Sequence, residues 1–171
     1  MSSPSKSSVL VREIAAEFER QWPEPCDIEV IDLAECGREF TGALSRDELS
    51  AEAEAKLAAI ESADVLVVGS PVYRASFTGL FKHVFDFVGQ YALVDKPVLL
   101  SASGGSDRHA LILEHQFRPL FAFFQALTLP LGVYASDAEF TDDRITSDAL
   151  TERFKRAVSR GIPVVRATRA E

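Results

Sequence analysis

Three short segments of this 171-residue chain have residue types suited to binding a phosphate group and a flat heterocycle. The first, residues 2–8, is rich in serine, carries Lys6 and leads directly into a helical pattern. Hydroxyl groups and the free backbone N–H groups of a helix start bind phosphate monoesters, and a lysine adds positive charge. A plain helix cap at Ser5 or Ser7 explains the same residues equally well, and both interpretations stay open here.

The second segment, residues 69–82, follows a short apolar run and contains Pro71, Val72, Tyr73 and Arg74. A turn at this place presents backbone N–H groups to the polar edge of a planar ring, while Pro71 and Val72 pack along the ring. Backbone N–H groups around Val72 to Arg74 are therefore the predicted donors. The alternative is a rigid connection between a strand and a helix, with Tyr73 as an ordinary interface aromatic.

The third segment, residues 103–106, reads Ser-Gly-Gly-Ser and follows another apolar run. Paired glycines let the backbone approach a ligand closely, although a Gly-Gly turn by itself specifies no ligand.

Alternating helix and strand patterns place these segments at one edge of a parallel sheet. Continuous apolar runs predict buried strands at 65–69, 97–101 and 129–135, and an alternating pattern predicts an edge strand at 27–33. Helices are predicted at 9–22, 44–62, 78–90, 107–127 and 149–160, the last one closed by Gly161 and Pro163. This alternation predicts one α/β domain over residues 1–171, a doubly wound parallel sheet that binds ligands at the carboxyl ends of its strands.

Composition narrows the classes of partner. A net charge of −8 argues against nucleic acid and anionic membranes, and no apolar run approaches the roughly 20 residues of a membrane span. The first residues lack a secretory signal, so we expect a cytoplasmic protein. Cys26 and Cys36 lie outside any zinc pattern, which predicts reduced thiols and no metal site.

The segment at 69–82, Gly-Ser-Pro-Val-Tyr-Arg-Ala-Ser-Phe-Thr-Gly-Leu-Phe-Lys, resembles the flavin-ring loop of the NAD(P)H-dependent FMN reductase family. It is close to the branch that serves two-component alkanesulfonate and methanesulfonate monooxygenases. The resemblance continues through residues 103–106 and the helix with His109 and Arg118, and covers about residues 2–160. It implies a flavodoxin-like, three-layer α/β/α fold and a chain that reduces FMN with NAD(P)H.

The same resemblance implies a set of FMN-binding residues: Ser3, Ser5, Lys6 and Ser7 at the phosphate, Pro71, Val72, Tyr73 and Arg74 along the isoalloxazine, and Ser103, Gly104, Gly105 and Ser106 over the ring. It also implies that His115 is an extra residue in the fourth helix, producing a π-type bulge at a subunit interface near the flavin. An ordinary surface or interface histidine is the alternative.

The implied reaction is hydride transfer from the nicotinamide to flavin N5, which needs no catalytic side chain, and the reduced flavin would go to a partner monooxygenase. No Gly-x-Gly-x-x-Gly motif is present, so the nucleotide would lie over the flavin. Three alternatives remain: an enzyme of the same fold that reduces quinones, azo dyes or metal ions through bound FMN, a flavodoxin-type electron carrier without NAD(P)H activity, and a structural relic that binds no flavin because the first strand is missing. The choice between NADH and NADPH is open.

Relatives begin with an apolar strand that leads into the phosphate loop, whereas here Met1 adjoins that loop. Four or five buried aliphatic residues, at about 1.5–3 kcal/mol each, amount to roughly the whole stability of a domain. We expect the true start to lie upstream of Met1, in preference to a trimmed chain or a strand supplied by a partner.

A homo-oligomer, dimeric or tetrameric, is predicted from aromatic residues that exceed what one face per helix can bury. They are Phe77, Phe81, Phe85, Phe87, Phe117, Phe121, Phe123 and Phe124.

Overall fold

The structure is a computed structural model that describes residues 5–169. Its helices are α1 Lys6–Gln21, α2 Leu33–Cys36, α3 Ala51–Ser62, α4 Gly79–Phe87, α5 Arg118–Phe123 and α6 Asp148–Arg169. A π-helical turn, Leu113–Phe117, runs directly into α5. The strands are β1 Leu66–Pro71, β2 Pro97–Gly104, β3 Leu127–Thr128, β4 Val133–Ser136, β5 Phe140–Thr141 and β6 Arg144–Ile145.

The main sheet is parallel, as predicted. β1 pairs with β2 in a register that runs from Leu66 opposite Val98 to Pro71 opposite Ser103. β3 and β4 pair with other parts of β2. All eight residues of β2 are buried, which fits an apolar run covered on both faces and paired at both edges.

Two apolar clusters cover the two faces of this sheet. Leu99 of β2 belongs to the cluster formed with α1 and α6, whereas Val98 and Leu100 belong to the cluster formed with α3, α4, α5 and the π-helical turn. Successive side chains of a strand point to opposite faces, so this division shows three layers, α/β/α. The predicted flavodoxin-like fold class is confirmed.

The predicted strand at 27–33 is wrong. Residues 27–32 form no strand, and the free edge of β1 pairs with no strand among residues 5–169. A cavity of about 450 Å³ separates β1 from residues 26–34, between Val11 of α1 on one side and Ile60 of α3 on the other. An alternating segment becomes a strand only beside another strand, and here the cavity occupies that place.

Two helix ends differ from their predicted positions, the end of α6 and the start of α3. α6 continues through Gly161 and Pro163 to Arg169, although both residues predicted its end. Gly161 is buried because it lies against Leu129, where a Cβ would come within 2.6 Å of Cδ1, and Val165 carries the apolar contact onward. The helix predicted at 44–62 begins only at Ala51, after a separate 3₁₀ turn at Arg46–Glu48.

The predicted strand at 129–135 and helix at 107–127 are both interrupted. β3 ends at Thr128 and β4 begins at Val133, with Pro130, which lacks a backbone N–H group, in the gap. The predicted fourth helix consists of a 3₁₀ turn at Asp107–His109, the π-helical turn and the short α5.

The count of phenylalanines was wrong as an argument for an oligomer. Six of the eight are at most 6% exposed within one chain: Phe81, Phe85, Phe87, Phe117, Phe121 and Phe124. Phe77 is half-buried against Phe117, and only Phe123 is exposed, at 60%. The rings pack mainly on one another in a single core.

Cys26 and Cys36 are both free thiols, as predicted, the first exposed and the second buried. Within residues 5–169, no helix is long and apolar enough to cross a membrane.

Candidate functional site

The second and third predicted segments lie next to each other at the carboxyl edge of the sheet. Pro71 is opposite Ser103 in the β1–β2 ladder, and Gly104 is opposite Ser136 in the β2–β4 ladder. Beyond the ladder, the Val72 N–H group donates to the carbonyl oxygen of Ser103 at 2.7 Å. The edge where parallel α/β sheets bind ligands therefore carries both predicted ring-binding loops.

The start of α1 reaches the same edge. Ser5 is the N-cap of α1, and its hydroxyl oxygen accepts a hydrogen bond from the Ser8 N–H group at 3.2 Å. Lys6 Nζ lies 3.0 Å from Asp137 Oδ1, directly after β4. The cap interpretation is confirmed for Ser5, and a cap leaves other N–H groups of the first turn open to an anion. Ser3, the remaining predicted phosphate ligand besides the buried Ser7, lies outside the described residues.

A tight hairpin turn follows β1. The N–H groups of Tyr73 and Ser76 each donate to the carbonyl oxygen of the other residue, at 2.9 and 3.1 Å. Between them, Arg74 and Ala75 have φ of 51° and 66°, a left-handed conformation that favours glycine. Such backbone strain costs on the order of 1 kcal/mol for each residue and concentrates at ligand sites.

This turn corrects the predicted hydrogen-bond donors. The N–H groups of Val72 and Tyr73 are bonded within the protein, so neither is available to a ring. The Arg74 N–H group has no partner in the described part of the chain, and the Arg74 side chain is exposed. A sequence pattern did not reveal this difference because it arises from the register of the hairpin.

The Ser103–Ser106 loop is held from below by Tyr134. Ser103 and Gly104 are buried, whereas Gly105 is exposed with open space on its side-chain side. The Tyr134 hydroxyl donates to the carbonyl oxygen of Ser106 at 2.6 Å. Sequence reasoning missed Tyr134, although a hydroxyl near the end of the apolar run at 129–135 was a signal that could have found it.

Acidic side chains surround this end of β4. Burial raises the pKa of Tyr134, and the carboxylates of Asp107, Asp137 and Glu139 raise it further. Burial also raises the pKa of Glu139, but hydrogen bonds from the Ser136 N–H group and from Arg153 outweigh it and lower the pKa overall. Glu139 is therefore ionised at neutral pH.

The predicted π-type bulge is confirmed. His115 lies in the middle of the π-helical turn and is exposed. The turn contacts the hairpin after β1, because the Ser76 hydroxyl donates to Gln116 Oε1 at 3.2 Å. Below it, the rings of Phe77 and Phe117 meet edge to face with centroids 5.5 Å apart. The bulge is thus joined to the predicted ring-binding loop.

The cavity beside β1 is separate from most of this site. Of the predicted site residues it contacts only Ser5, Ser7 and Pro71, where it opens towards the carboxyl edge. The other described residues of the predicted set lie outside it.

Comparisons with known proteins agree with this geometry. The family model for NADPH-dependent FMN reductase matches residues 1–141. The chain is 52% identical to the NADH-dependent FMN reductase SfnF of Pseudomonas fluorescens, across 94% of this chain and 85% of the relative. It is also 52% identical to the NADH-dependent FMN reductase SfnE of Pseudomonas putida, across 99% and 90%.

A solved structure supports the fold over nearly the whole chain. The X-ray structure of an oxidoreductase from Corynebacterium diphtheriae superimposes with a TM-score of 0.84 at 28% identity, covering 98% of this chain and 92% of the other. Sequence, fold and the loops at the carboxyl edge point to the same conclusion. The chain belongs to the NADPH-dependent FMN reductase family.

Proposed function

We propose that this chain reduces FMN with NADH or NADPH and hands the reduced flavin to a partner monooxygenase. The observation that carries the proposal is the meeting of the two ring-binding loops and the start of α1 at one edge of the sheet. Similarity to two reductases named for NADH-dependent FMN reduction supports the reaction.

The residues present fit FMN. At one end, the start of α1 with Ser5 and Lys6 offers N–H dipoles, a hydroxyl and a positive charge to a phosphate. At the other, Arg74 offers an N–H group without a protein partner, and Gly105 leaves open space over the loop. Pro71 and Val72, both half-buried, would pack along the ring. His115 would approach the ring from the π-helical turn.

FMN supplies the redox chemistry when bound, because it accepts a hydride from the nicotinamide. The chain's own residues would orient the flavin ring and stabilise the negative charge of its reduced form. The Arg74 N–H group would donate at the polar edge of the ring, where negative charge accumulates on reduction. The Arg74 guanidinium is exposed and would offer a bidentate hydrogen bond to a phosphate of the nucleotide. No side chain needs to act as an acid or base.

We also propose a homo-oligomer, on grounds other than the phenylalanine count. Leu111 and Phe123, which flank the π-helical turn and α5, are 63% and 60% exposed. Large apolar side chains that are exposed at the two ends of one continuous helical segment favour contact with a second copy. The molar mass of the assembly in solution, measured by light scattering, tests this proposal.

The function is tested by mixing the protein with FMN and NADH or NADPH without oxygen and following the visible absorbance of the flavin. Complete bleaching of FMN supplied in large molar excess over the protein is the expected result. Faster turnover of quinones than of FMN at equal NADH would favour the reductase with permanently bound FMN. Flavin binding without bleaching by either nucleotide would favour the electron carrier.

Asp137→Asn is expected to raise the affinity for FMN about threefold and to leave the affinity for riboflavin unchanged. Asp137 pairs with Lys6 beside the proposed phosphate position, so its charge both competes for Lys6 and repels the phosphate. Removing one exposed charge near a dianion is worth a few tenths of a kcal/mol to about 1 kcal/mol in water. Fluorescence titration with FMN and with riboflavin measures both affinities.

Lys6→Met is the matched variant, and its FMN affinity should fall while riboflavin binding stays the same. Riboflavin lacks the phosphate, so it controls for changes elsewhere in the site. Equal changes for FMN and riboflavin in either variant would remove the start of α1 from the site.

A further inference from the structure

Tyr134 occupies a fixed position beneath the Ser103–Ser106 loop. It lies in β4 opposite Ala102 of β2 and is only 8% exposed. Its hydroxyl reaches past Gly104 to donate to the carbonyl oxygen of Ser106 at 2.6 Å. A short, part-buried hydrogen bond to the backbone holds a loop more firmly than an exposed one.

The packing of Gly104 shows how closely this contact is built. A Cβ at position 104 would come within 2.5 Å of the Tyr134 hydroxyl oxygen, while its next neighbours, Val72 Cγ2 and Tyr134 Cζ, would be 3.3 and 3.4 Å away. The absence of a side chain at Gly104 is therefore required chiefly by one oxygen atom. Gly104 was predicted to let the backbone approach a ligand, and it also leaves the space that the Tyr134 hydroxyl occupies.

The loop is held at both of its ends. At its start, the carbonyl oxygen of Ser103 accepts from the Val72 N–H group, which ties it to the hairpin after β1. At its end, the carbonyl oxygen of Ser106 accepts from Tyr134. Between these ties only Gly105 is exposed. Because the pKa of Tyr134 is raised by burial and by nearby carboxylates, its hydroxyl keeps its proton throughout the neutral range.

We propose that Tyr134 is a positioning residue for flavin binding, which fixes the Ser103–Ser106 loop at the height the isoalloxazine requires. The proposal rests on the proposed function, since it assumes that the ring binds against this loop. Tyr134 contacts the loop through the carbonyl oxygen of Ser106, so it acts through the backbone and not on the reacting atoms.

Tyr134→Phe removes the oxygen and keeps the ring. We expect the dissociation constants of FMN and riboflavin to rise by the same factor, about five- to tenfold, as the loss of one such hydrogen bond predicts. The KM for FMN should rise in parallel, while kcat at saturating FMN should stay within twofold. In the flavin-free protein, amide hydrogen exchange at residues 104–107 should become faster. Tyr91→Phe, at a tyrosine that is 68% exposed, is the matched control.

A second substitution makes the test independent of simple damage to the fold. Gly104→Ala alone should weaken flavin binding strongly, because its Cβ collides with the Tyr134 oxygen. In the Tyr134→Phe background the 2.5 Å collision is gone, and the alanine needs only shifts of a few tenths of an ångström from Val72 Cγ2 at 3.3 Å and the ring Cζ at 3.4 Å, so its further effect should be smaller than in the wild-type chain. The double variant should therefore bind flavin better than the two single effects predict when added.

Unchanged flavin affinity in Tyr134→Phe, unchanged exchange at 104–107, or fully additive effects in the double variant would each overturn the proposal. Failure of the proposed function has a different signature, because the wild-type chain itself would then bind or reduce no FMN. The exchange measurement needs no flavin, so it tests the hold of Tyr134 on the loop in either case.

Discussion

A chain with six apolar residues, such as alternating valine and isoleucine, fused directly before Ser2 is expected to unfold with a free energy roughly 5 kcal/mol above that of the present chain. The cavity of about 450 Å³ runs along β1 from Val65 to Pro71, and apolar side chains contribute to its lining. Its position and lining suit one extended apolar strand. Burying about five aliphatic side chains contributes about 2 kcal/mol each, and ordering their backbone costs about half of that. The free edge of β1 would also gain hydrogen-bond partners.

Urea unfolding measures this difference, and the denaturant slope should rise because more surface becomes buried. A fused segment of the same length with alternating serine and glutamate is the matched control and should change little. Amide exchange adds a second readout, since residues 27–32 should become protected only with the apolar segment. Equal stability for the apolar and polar fusions would show that the cavity does not accept a strand.

The sequence predicted those elements whose environment is simple. The apolar runs at 65–69 and 97–101 became β1 and β2 because both faces of these strands are covered, so that each position favours the same residue types. The strand at 27–33 failed for a non-local reason. Its alternation is correct for an edge, but no strand formed by residues 5–169 pairs with it. The predicted C-terminal end of α6 was wrong because the contact of Gly161 with Leu129 outweighs a helix-stop signal.

The candidate site was predictable as a set of loops but not in its hydrogen bonds. Residue types located the loops at 71–74 and 103–106, and the structure brings them together at one sheet edge. Which N–H groups stay free depends on the hairpin register at Tyr73–Ser76, and no composition rule encodes it. Tyr134 escaped notice because its partner, Ser106, is 28 residues away. The bulge at His115 was found only through the resemblance.

Deleting His115 is expected to slow FMN dissociation roughly tenfold and to lower NADH-dependent turnover of free FMN. In the π-helical turn, the Arg118 N–H group donates to the carbonyl oxygen of Leu113, five residues earlier, which widens the helix. With one residue fewer, the turn should regain the ordinary four-residue spacing, which is the more stable geometry. A tenfold change in dissociation corresponds to about 1.4 kcal/mol.

The physical reason lies in the contacts that the turn makes. Gln116 accepts from Ser76, and Phe117 packs on Phe77, so we expect a change in the width of the turn to shift the hairpin after β1. The hairpin is strained at Arg74 and Ala75, and a wide, less stable turn beside it permits the hairpin to relax when flavin leaves. A regular helix would hold the hairpin in the flavin-binding arrangement. The flavin would then be retained, as in an electron carrier, and not released as a product.

His115→Ala is the matched variant, because it removes the imidazole and keeps the length of the π-helical turn. We expect it to change flavin affinity or oligomeric state while the fold, followed by circular dichroism, stays intact. Three quantities are measured for both variants: the rate of FMN dissociation by stopped flow, the molar mass of the assembly by light scattering, and the rate of NADH-dependent flavin reduction. If the deletion alone slows dissociation, the width of the turn controls release, and if both variants do so equally, the ring controls it. Unchanged values in all three measurements would show that His115 is a bystander and that the bulge has no part in flavin exchange.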